Sequence, residues 1–305
     1  MDSSVKKIRN IVVATDFSET SDFAISRAIE VAKSTNASLT ILHVVEKGYF
    51  DHFLEEIIPK EILQTPTEYA TTLIQEKIYT LLRHKLQINY AVISQGKPAV
   101  KILQYAKKNK IDLLVIGAHG KHSMRDSFVG TTAEYISERT KYPVLITKSN
   151  HTKPYQKVLV PVDFSDVSKA ALNYAIQLFP NSSMRLIHVG DHEFEHLLME
   201  EDKKGEIQAN KIIKMRKAIL FYLESKMKKF ISRCKRKFNK SSYHIVLGYP
   251  GPNIIKESMG KKCDLVVMGT QGHGTPHYRF IGSVASWVIT EGDKDILLIP
   301  PKGTK

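Results

Sequence analysis

Cysteine is scarce in this chain of 305 residues, which contains only Cys234 and Cys263. Two cysteines are too few for the disulfide framework of a small secreted domain or for a paired-cysteine metal site. No apolar run approaches the roughly 20 residues that a membrane-spanning helix needs, and the first residues lack the cleavage pattern of a signal peptide. These absences favour a cytoplasmic protein without a transmembrane segment.

Acidic residues are too few to balance the basic ones, and the formal net charge is +14. Between Glu200 and Lys240 there are 14 Lys or Arg against 5 Asp or Glu. Apolar residues recur in this segment at helical spacing, namely Ile212, Met215, Ile219, Tyr222, Met227 and Ile231. The pattern predicts one long amphipathic helix whose basic face lies in solvent. An acidic partner, either nucleic acid or membrane, is the alternative.

One motif occurs twice, as LLVIGAHGKHSMRDSFVGTTAEYI from Leu113 and as LVVMGTQGHGTPHYRFIGSVASWV from Leu265. In each copy a strand-like run ends in glycine, a second glycine follows after two residues, and Gly-Thr or Gly-Ser follows after nine more. The copies are offset by 152 residues throughout. The motif positions are Gly117, Gly120, Gly130 and Thr131 in the first copy, and Gly269, Gly272, Gly282 and Ser283 in the second.

The repeat extends beyond these glycines to the start of each half. Asp-Phe-Ser follows the first strand-like run at residues 16–18 and again at 163–165, and a helical pattern comes next. Aspartate and serine suit a helix start, because their side-chain oxygens accept from the free backbone N–H groups there. A His-Val pair then ends the second strand-like run, at residues 43–44 and 188–189.

Strands and helices alternate along each half, which predicts an α/β fold with a mostly parallel five-stranded sheet and helices on both faces. We expect two tandem domains at residues 1–149 and 157–305, joined by a linker at 150–156. Between the second and third strands of the first half, Thr65-Pro66-Thr67-Glu68 has the form of a capping box with proline at the first helical position.

A sheet of this kind binds ligands at the carboxyl ends of its strands, where the strand order reverses. Asp16 or Asp163 could hold a ribose hydroxyl or a base edge there, while glycines and helix N–H groups favour an anion. These features together predict a nucleotide site. Strand-end glycines also occur in simple turns, and neither copy has a phosphate-loop ending or the dinucleotide fingerprint.

The glycine spacing and the ATDFSETS and PVDFSDVS openings resemble the universal stress protein family over nearly the whole chain, as two tandem members. The resemblance implies a Rossmann-like fold of the adenine nucleotide alpha hydrolase type. It also implies that ATP or a related adenine nucleotide binds, with or without Mg²⁺. The implied binding residues are Ala14, Thr15, Asp16, Val44, Gly117, Gly120, Gly130 and Thr131 in the first half, and Pro161, Val162, Asp163, Val189, Gly269, Gly272, Gly282 and Ser283 in the second.

Catalytic and metal-binding patterns do not recur in both halves, so we expect a sensor or regulator of the stress response and not an enzyme, although slow ATP hydrolysis is compatible with this reading. The histidines at 43 and 188 are interpreted as packing residues, and no metal site is predicted. Two other functions remain open. One is a module for a non-nucleotide ligand, and the other is nucleic-acid binding through the basic helix, for which no recognised motif is present.

The closing strand of each half, PVLITK or ILLIPP, is short and apolar. An apolar sheet edge is an aggregation hazard unless something covers it. We therefore expect the two halves to pair as an internal pseudo-dimer through these strands, and the family resemblance points the same way. Whether whole chains also form a homodimer is left open by the sequence.

Overall fold

The computed structural model describes residues 7–46, 65–81, 86–94, 96–120, 130–150, 153–190, 209–234, 236–272 and 281–301. The chain divides into two compact units, and the division falls between Pro154 and Tyr155, within the segment expected to be the linker. Each unit is a five-stranded parallel sheet with helices on both faces. The predicted α/β fold class is confirmed.

The first unit has its strands in the spatial order β3-β2-β1-β4-β5, and all four pairings are parallel. The strands are β1 Asn10–Thr15, β2 Ser38–Val44, β3 Ile88–Ile93, β4 Leu113–Gly117 and β5 Val144–Thr147. Its described helices are α1 Glu19–Thr35, α2 Pro66–Leu81, α3 Pro98–Lys108 and α4 Thr131–Arg139. The strand order reverses between β1 and β4.

The second unit repeats this arrangement in the order β8-β7-β6-β9-β10, again with parallel pairings only. The strands are β6 Lys157–Pro161, β7 Ser183–Gly190, β8 Tyr243–Leu247, β9 Leu265–Gly269 and β10 Asp295–Ile299. Its described helices are α5 Asp166–Leu178, α6 Ala209–Ile231, α7 Pro250–Gly260 and α8 Ser283–Glu291. The order reverses between β6 and β9.

The central strands read as unbroken apolar runs because helices cover both faces of each sheet. Leu113 to Ile116 of β4 are all buried, as are Leu265 to Met268 of β9. An antiparallel sheet with one solvent-exposed face would instead show polar residues at alternate positions. The continuous burial explains why the sequence signal for these strands is strong.

Helix starts follow the predicted chemistry. Ser18 and Ser165 are the N-caps of α1 and α5, and each side chain accepts from a backbone N–H three residues later. At α2, Thr65 N donates to Glu68 Oε2 at 2.8 Å, and Glu68 N donates to Thr65 Oγ1 at 3.2 Å. The predicted capping box is therefore confirmed, with Pro66 as the first helical residue.

The basic segment forms the helix α6, as predicted, and the buried side chains among its described residues lie in its second half. Met227 is fully buried and Phe230 is 8% exposed. Met215 and Tyr222 belong to the apolar set expected from the spacing, yet they are 41% and 58% exposed. The predicted helix is present, but Met215 and Tyr222 of the apolar set do not face the core, and the side chain of Ile212 lies outside the described residues. No described helix combines the length and apolarity that crossing a bilayer requires.

The packing of α6 predicts unequal effects of two methionine truncations. Met227→Ala should lower the free energy of unfolding by about 2–4 kcal/mol, because it leaves a cavity at a fully buried site. Met215→Ala should change it by less than about 0.5 kcal/mol, because that side chain is partly in water. Urea denaturation of the two variants measures both values. Equal losses would contradict the packing described here.

Candidate functional site

A cavity of about 220 Å³ lies at the carboxyl ends of the second sheet, where the strand order reverses between β6 and β9. All eight positions predicted for the second half line it: Pro161, Val162, Asp163, Val189, Gly269, Gly272, Gly282 and Ser283. These residues come from three stretches of sequence more than 20 residues apart. The structure therefore brings the whole predicted set together, while its binding role stays a prediction.

Nine further residues line the same cavity and were not predicted. They are Ser168, Ile187, Pro250, Ile254, Met268, Thr270, Gln271, Val284 and Ala285. Pro250 and Ile254 stand at the start of α7, directly after the carboxyl end of β8. The rule that ligands bind at carboxyl strand ends applies to this junction as well, so Pro250 was open to prediction from the sequence.

Asp163 connects the cavity to the start of α5. Its Oδ1 accepts from the backbone N of Ser165 at 3.0 Å and from the Ser165 hydroxyl at 2.6 Å. The same hydroxyl oxygen accepts from Ser168 N at 3.1 Å and so caps the helix. Serine is thus the cap, and the aspartate orients it. Asp16 holds Ser18 in the first half in the same way.

The second oxygen of Asp163 faces the glycine segment across the cavity. A Cβ added to Gly272 would lie 2.6 Å from Asp163 Oδ2, and one added to Gly120 would lie 2.8 Å from Asp16 Oδ2. Such distances are too short for any side chain, so glycine allows the backbone to approach the carboxylate closely. The predicted acidic anchor and the second glycine of the motif are therefore neighbours in both halves.

The first glycine of each motif has a packing reason of its own. A Cβ on Gly269 would lie 2.6 Å from Val167 Cγ1, and one on Gly117 would lie 3.1 Å from the carbonyl oxygen of Thr20. Val167 and Thr20 stand in the first turn of the helix that follows the first strand. These glycines let that helix start sit against the end of the fourth strand.

The third glycine closes the motif and begins a helix. Gly282 N donates to Thr270 O at 2.7 Å, and Gly130 N donates to Ala118 O at the same distance. Gly282 is the N-cap of α8, and Gly130 is that of α4. Because glycine has no side-chain oxygen, the cap cannot satisfy the N–H groups of the first turn, which leaves them suited to an anion. The nine-residue stretches between the second and third glycines are residues 121–129 and 273–281, and all of them except Ile281 lie outside the described residues.

Phenylalanine occupies a left-handed backbone position beside each aspartate. Phe164 has φ 68° and Phe17 has φ 62°. The Phe164 ring lies 4.3 Å from the His188 ring, and His188 Nδ1 donates to the Val162 carbonyl at 2.6 Å. The corresponding histidine of the first half makes the same two contacts. Both histidines therefore hold the turn after the first strand, which agrees with their interpretation as packing residues.

The first-half site residues occupy equivalent places, and the hydroxyl groups of Thr15 and Thr20 add hydrogen bonds that valines cannot make in the second half. Ala14 and Thr15 end β1 and Asp16 follows it, and Val44 ends β2. Gly117 ends β4, Gly120 and Gly130 follow it, and Thr131 begins α4. Thr20 Oγ1 donates to the carbonyl of His119 at 2.7 Å, whereas valine stands at the equivalent position 167. The hydroxyl fixes the first glycine segment to α1. Among the described residues, no three acidic, histidine or cysteine side chains group as metal ligands.

The universal stress protein family model matches residues 7–148 and 154–300. The chain belongs to this family. Two tandem family domains therefore account for nearly all of it, as the sequence predicted.

Curated members of the family each align with one half of the chain. Universal stress protein YxiE of Bacillus subtilis is 28% identical over 158 residues, which is 45% of this chain and 97% of that protein. Universal stress protein A homolog 1 of Coxiella burnetii is 33% identical over 138 residues, 42% of this chain and 88% of that protein. Each relative thus corresponds to one domain.

Two solved structures align with nearly the whole chain, so that both halves are covered. The functionally unknown protein PA1789 of Pseudomonas aeruginosa PAO1 aligns with a TM-score of 0.69 at 15% identity, over 97% of this chain and 93% of its own. A universal stress protein from Archaeoglobus fulgidus gives a TM-score of 0.65 at 18% identity, over 96% and 98% of the two chains. At these identities the similarity establishes the fold.

Substituting Gly272 and Gly282 should separate the two roles of the motif. Gly272→Ala should displace the Asp163 carboxylate, because its Cβ would lie 2.6 Å from Oδ2. Gly282→Ala should leave that carboxylate in place, because its nearest neighbour is 3.4 Å away. Crystal structures of the two variants show the Asp163 position directly. An unmoved carboxylate in Gly272→Ala would contradict the described approach.

The buried His188 should make folding stability depend on pH. Burial lowers the pKa of His188 and Lys226 acts in the same direction, while the Val162 carbonyl and Asp163 oppose them. Below about pH 6.5 the unfolded chain therefore binds this proton more readily than the folded one. The free energy of unfolding should fall as the pH drops from 7 to 5. The fall should be smaller in His188→Asn, and identical pH profiles in urea denaturation would refute this.

Proposed function

We propose that this universal stress protein binds an adenine nucleotide in the cavity of its second half and acts as a regulator in the stress response. The observation that supports this most is the assembly of strand-end, glycine-segment and helix-start residues around one cavity at the switch point of the sheet. The cavity has an apolar part and a polar part, which matches a base attached to a phosphorylated sugar.

The base would lie in the apolar part, between Val162, Val189 and Ile254. Asp163 would accept a hydrogen bond from a ribose hydroxyl, using a carboxylate whose orientation Ser165 already fixes. The phosphates would lie against Gly272 and the start of α8, where backbone N–H groups and the helix dipole favour negative charge. The Ser283 hydroxyl adds a donor at this end.

The first half would bind a nucleotide with equivalent residues and a stiffer glycine segment. Its motif reads Gly130-Thr131-Thr132 where the second half reads Gly282-Ser283-Val284. The hydrogen bond from Thr20 to His119 restrains the segment in the first half. We therefore expect the two sites to differ in affinity.

Regulation by binding fits the site better than efficient catalysis. Asp163 is the single carboxylate among the described residues that line the cavity, and its Oδ1 already accepts two hydrogen bonds from Ser165. His188 directs Nδ1 to a backbone carbonyl. A cytoplasmic location is part of the proposal, because two cysteines are too few for the disulfide framework typical of secreted domains.

The direct test is to identify by mass spectrometry the small molecules bound to the freshly purified chain, and to measure how many are bound per chain. We expect about two adenine nucleotides per chain, or one if the second site alone retains its ligand. A different bound metabolite, or no nucleotide binding when ATP and AMP are added, would contradict the proposal. The first of these outcomes would favour a module for a non-nucleotide ligand.

The aspartates provide matched variants for the two sites. Asp163→Asn keeps an oxygen that can accept from Ser165, so the helix cap persists, but it removes the charge from the proposed ribose anchor. Nucleotide affinity of the second site should fall by about 1.5–3 kcal/mol. Asp16→Asn should affect the first site alone.

Calorimetric titration resolves the two sites, and thermal melting without ligand gives the control. A lower melting temperature with unchanged nucleotide affinity would show that the aspartate serves the helix cap alone.

We also propose, from their short apolar closing strands, that the two halves associate as an internal pair. A protease site placed in the segment 150–156 allows the intact chain to be cut after folding. The cut halves should elute together in gel filtration at low concentration. Separate elution of two folded halves would contradict the pairing.

A further inference from the structure

Residues 213–218 of α6 have exposed side chains around the full circumference of the helix. Ile213 to Ala218 are six consecutive exposed residues, and six residues complete more than one and a half helical turns. Residues further along the helix contact the rest of the second unit: Glu224 accepts from Tyr243 Oη, and Phe230 packs on Phe164. We call residues 213–222 the projecting segment.

Large apolar side chains are exposed on the projecting segment. Phe221 is 75% exposed, Tyr222 58%, Ile213 50% and Met215 41%. Met215 and Tyr222 are seven residues apart and share one face of the helix, apart from the face that Met227 and Phe230 bury. Phe221 adjoins Tyr222, whereas Ile213 lies on another side of the helix. The exposed apolar surface formed by Met215, Phe221 and Tyr222 marks a contact site.

The charge of the projecting segment has one sign. Lys214, Arg216 and Lys217 are all exposed, and the sequence from Ala209 to Leu223 contains no acidic residue. The first carboxylate, Glu224, lies outside the segment and pairs with Lys228 at 3.2 Å. The partner must therefore offer negative charge together with an apolar layer.

Three kinds of partner would differ in how well they contact the charged and the apolar side chains of the segment. A second copy of this helix would place like charges together, which is unfavourable at close range. A nucleic acid would neutralise the lysines but would leave Ile213 and Met215 in water. The interface of an anionic bilayer takes up both, because apolar and aromatic side chains enter the headgroup boundary while lysines extend to the phosphates.

We propose that the projecting segment of α6 is a docking site for an anionic lipid surface. Phe221, Tyr222 and Met215 enter the headgroup region, and Lys214 and Lys217 contact lipid phosphates. The second half of α6 fixes the segment to the domain through the buried side chains of Met227 and Phe230. The contact is peripheral, because no described helix is apolar and long enough to cross a membrane.

Co-sedimentation of the full chain with vesicles tests the proposal. The protein should bind vesicles of phosphatidylcholine with about 30% phosphatidylglycerol, whose surface is negatively charged, and should bind pure phosphatidylcholine far more weakly. Binding should decrease as salt is raised, since the Debye length shortens. Equal binding to both vesicle types, or no binding to either, would overturn the proposal.

Two variants separate charge from apolar contact. Lys214→Gln/Lys217→Gln should lower the partition coefficient roughly thirty-fold, at about five-fold per charge. Met215→Ser/Tyr222→Ser keeps every charge and should lower it about ten-fold or more. The matched control is Lys107→Gln/Lys108→Gln, which removes two exposed lysines at the end of α3. Its partition coefficient should fall far less than that of the Lys214→Gln/Lys217→Gln variant.

The apolar variant also distinguishes the other partners. If binding to single-stranded or duplex nucleic acid exceeds binding to vesicles, and Met215→Ser/Tyr222→Ser leaves both unchanged, the segment is an electrostatic site for nucleic acid and the proposal is wrong. If the chain dimerises and that variant makes it monomeric without affecting vesicle binding, the segment is a self-association surface instead. Thermal melting of each variant establishes that it is folded.

Discussion

The turn that follows the first strand of each half is the constraint on which the proposed site depends. Phe17 and Phe164 have left-handed backbone conformations, which are unfavourable for residues with a side chain. Ring contacts with the neighbouring histidine, whose Nδ1 donates to the backbone at the strand end, stabilise this conformation. The turn directs one aspartate oxygen to the helix cap and the other towards the glycine segment. Cap, anchor and cavity wall therefore form as one unit.

The glycines complement this turn from the opposite side of the crevice. Gly269 lets β9 end against Val167, and Gly272 lets the backbone reach Asp163. At each of these two positions a side chain would clash with a residue in or directly after the turn, and glycine avoids the clash. The first half keeps the same geometry at Gly117 and Gly120 but adds the hydrogen bond between Thr20 and His119. Two copies of one architecture can in this way differ in stiffness through a few threonine hydroxyl groups, those of Thr15 and Thr20.

Helix α6 contacts the same turn from outside the cavity. The Phe230 ring packs edge-on against Phe164 at 5.8 Å, and Lys226 Nζ lies 5.4 Å from the Phe164 ring centre. Phe164 therefore stands between Asp163, which lines the cavity, and the helix whose first part projects from the domain. A ligand that orders this turn would also stabilise the packed end of α6. The proposed nucleotide site and the proposed lipid surface share a structural element.

Sequence alone determined the features that depend on chain order and local chemistry. The repeated Asp-Phe-Ser and glycine motifs, together with alternating elements, predicted two parallel sheets and the strand ends that meet at each crevice, and Thr65 with Glu68 predicted a cap. Tertiary structure alone decided which surfaces meet. The close approach of Gly272 to Asp163 joins residues more than 100 positions apart. The exposure of Met215 and Tyr222 depends on which residues of α6 pack against the rest of the domain. Spacing predicts the face on which a residue lies, whereas the partner that covers that face is set by packing between distant segments.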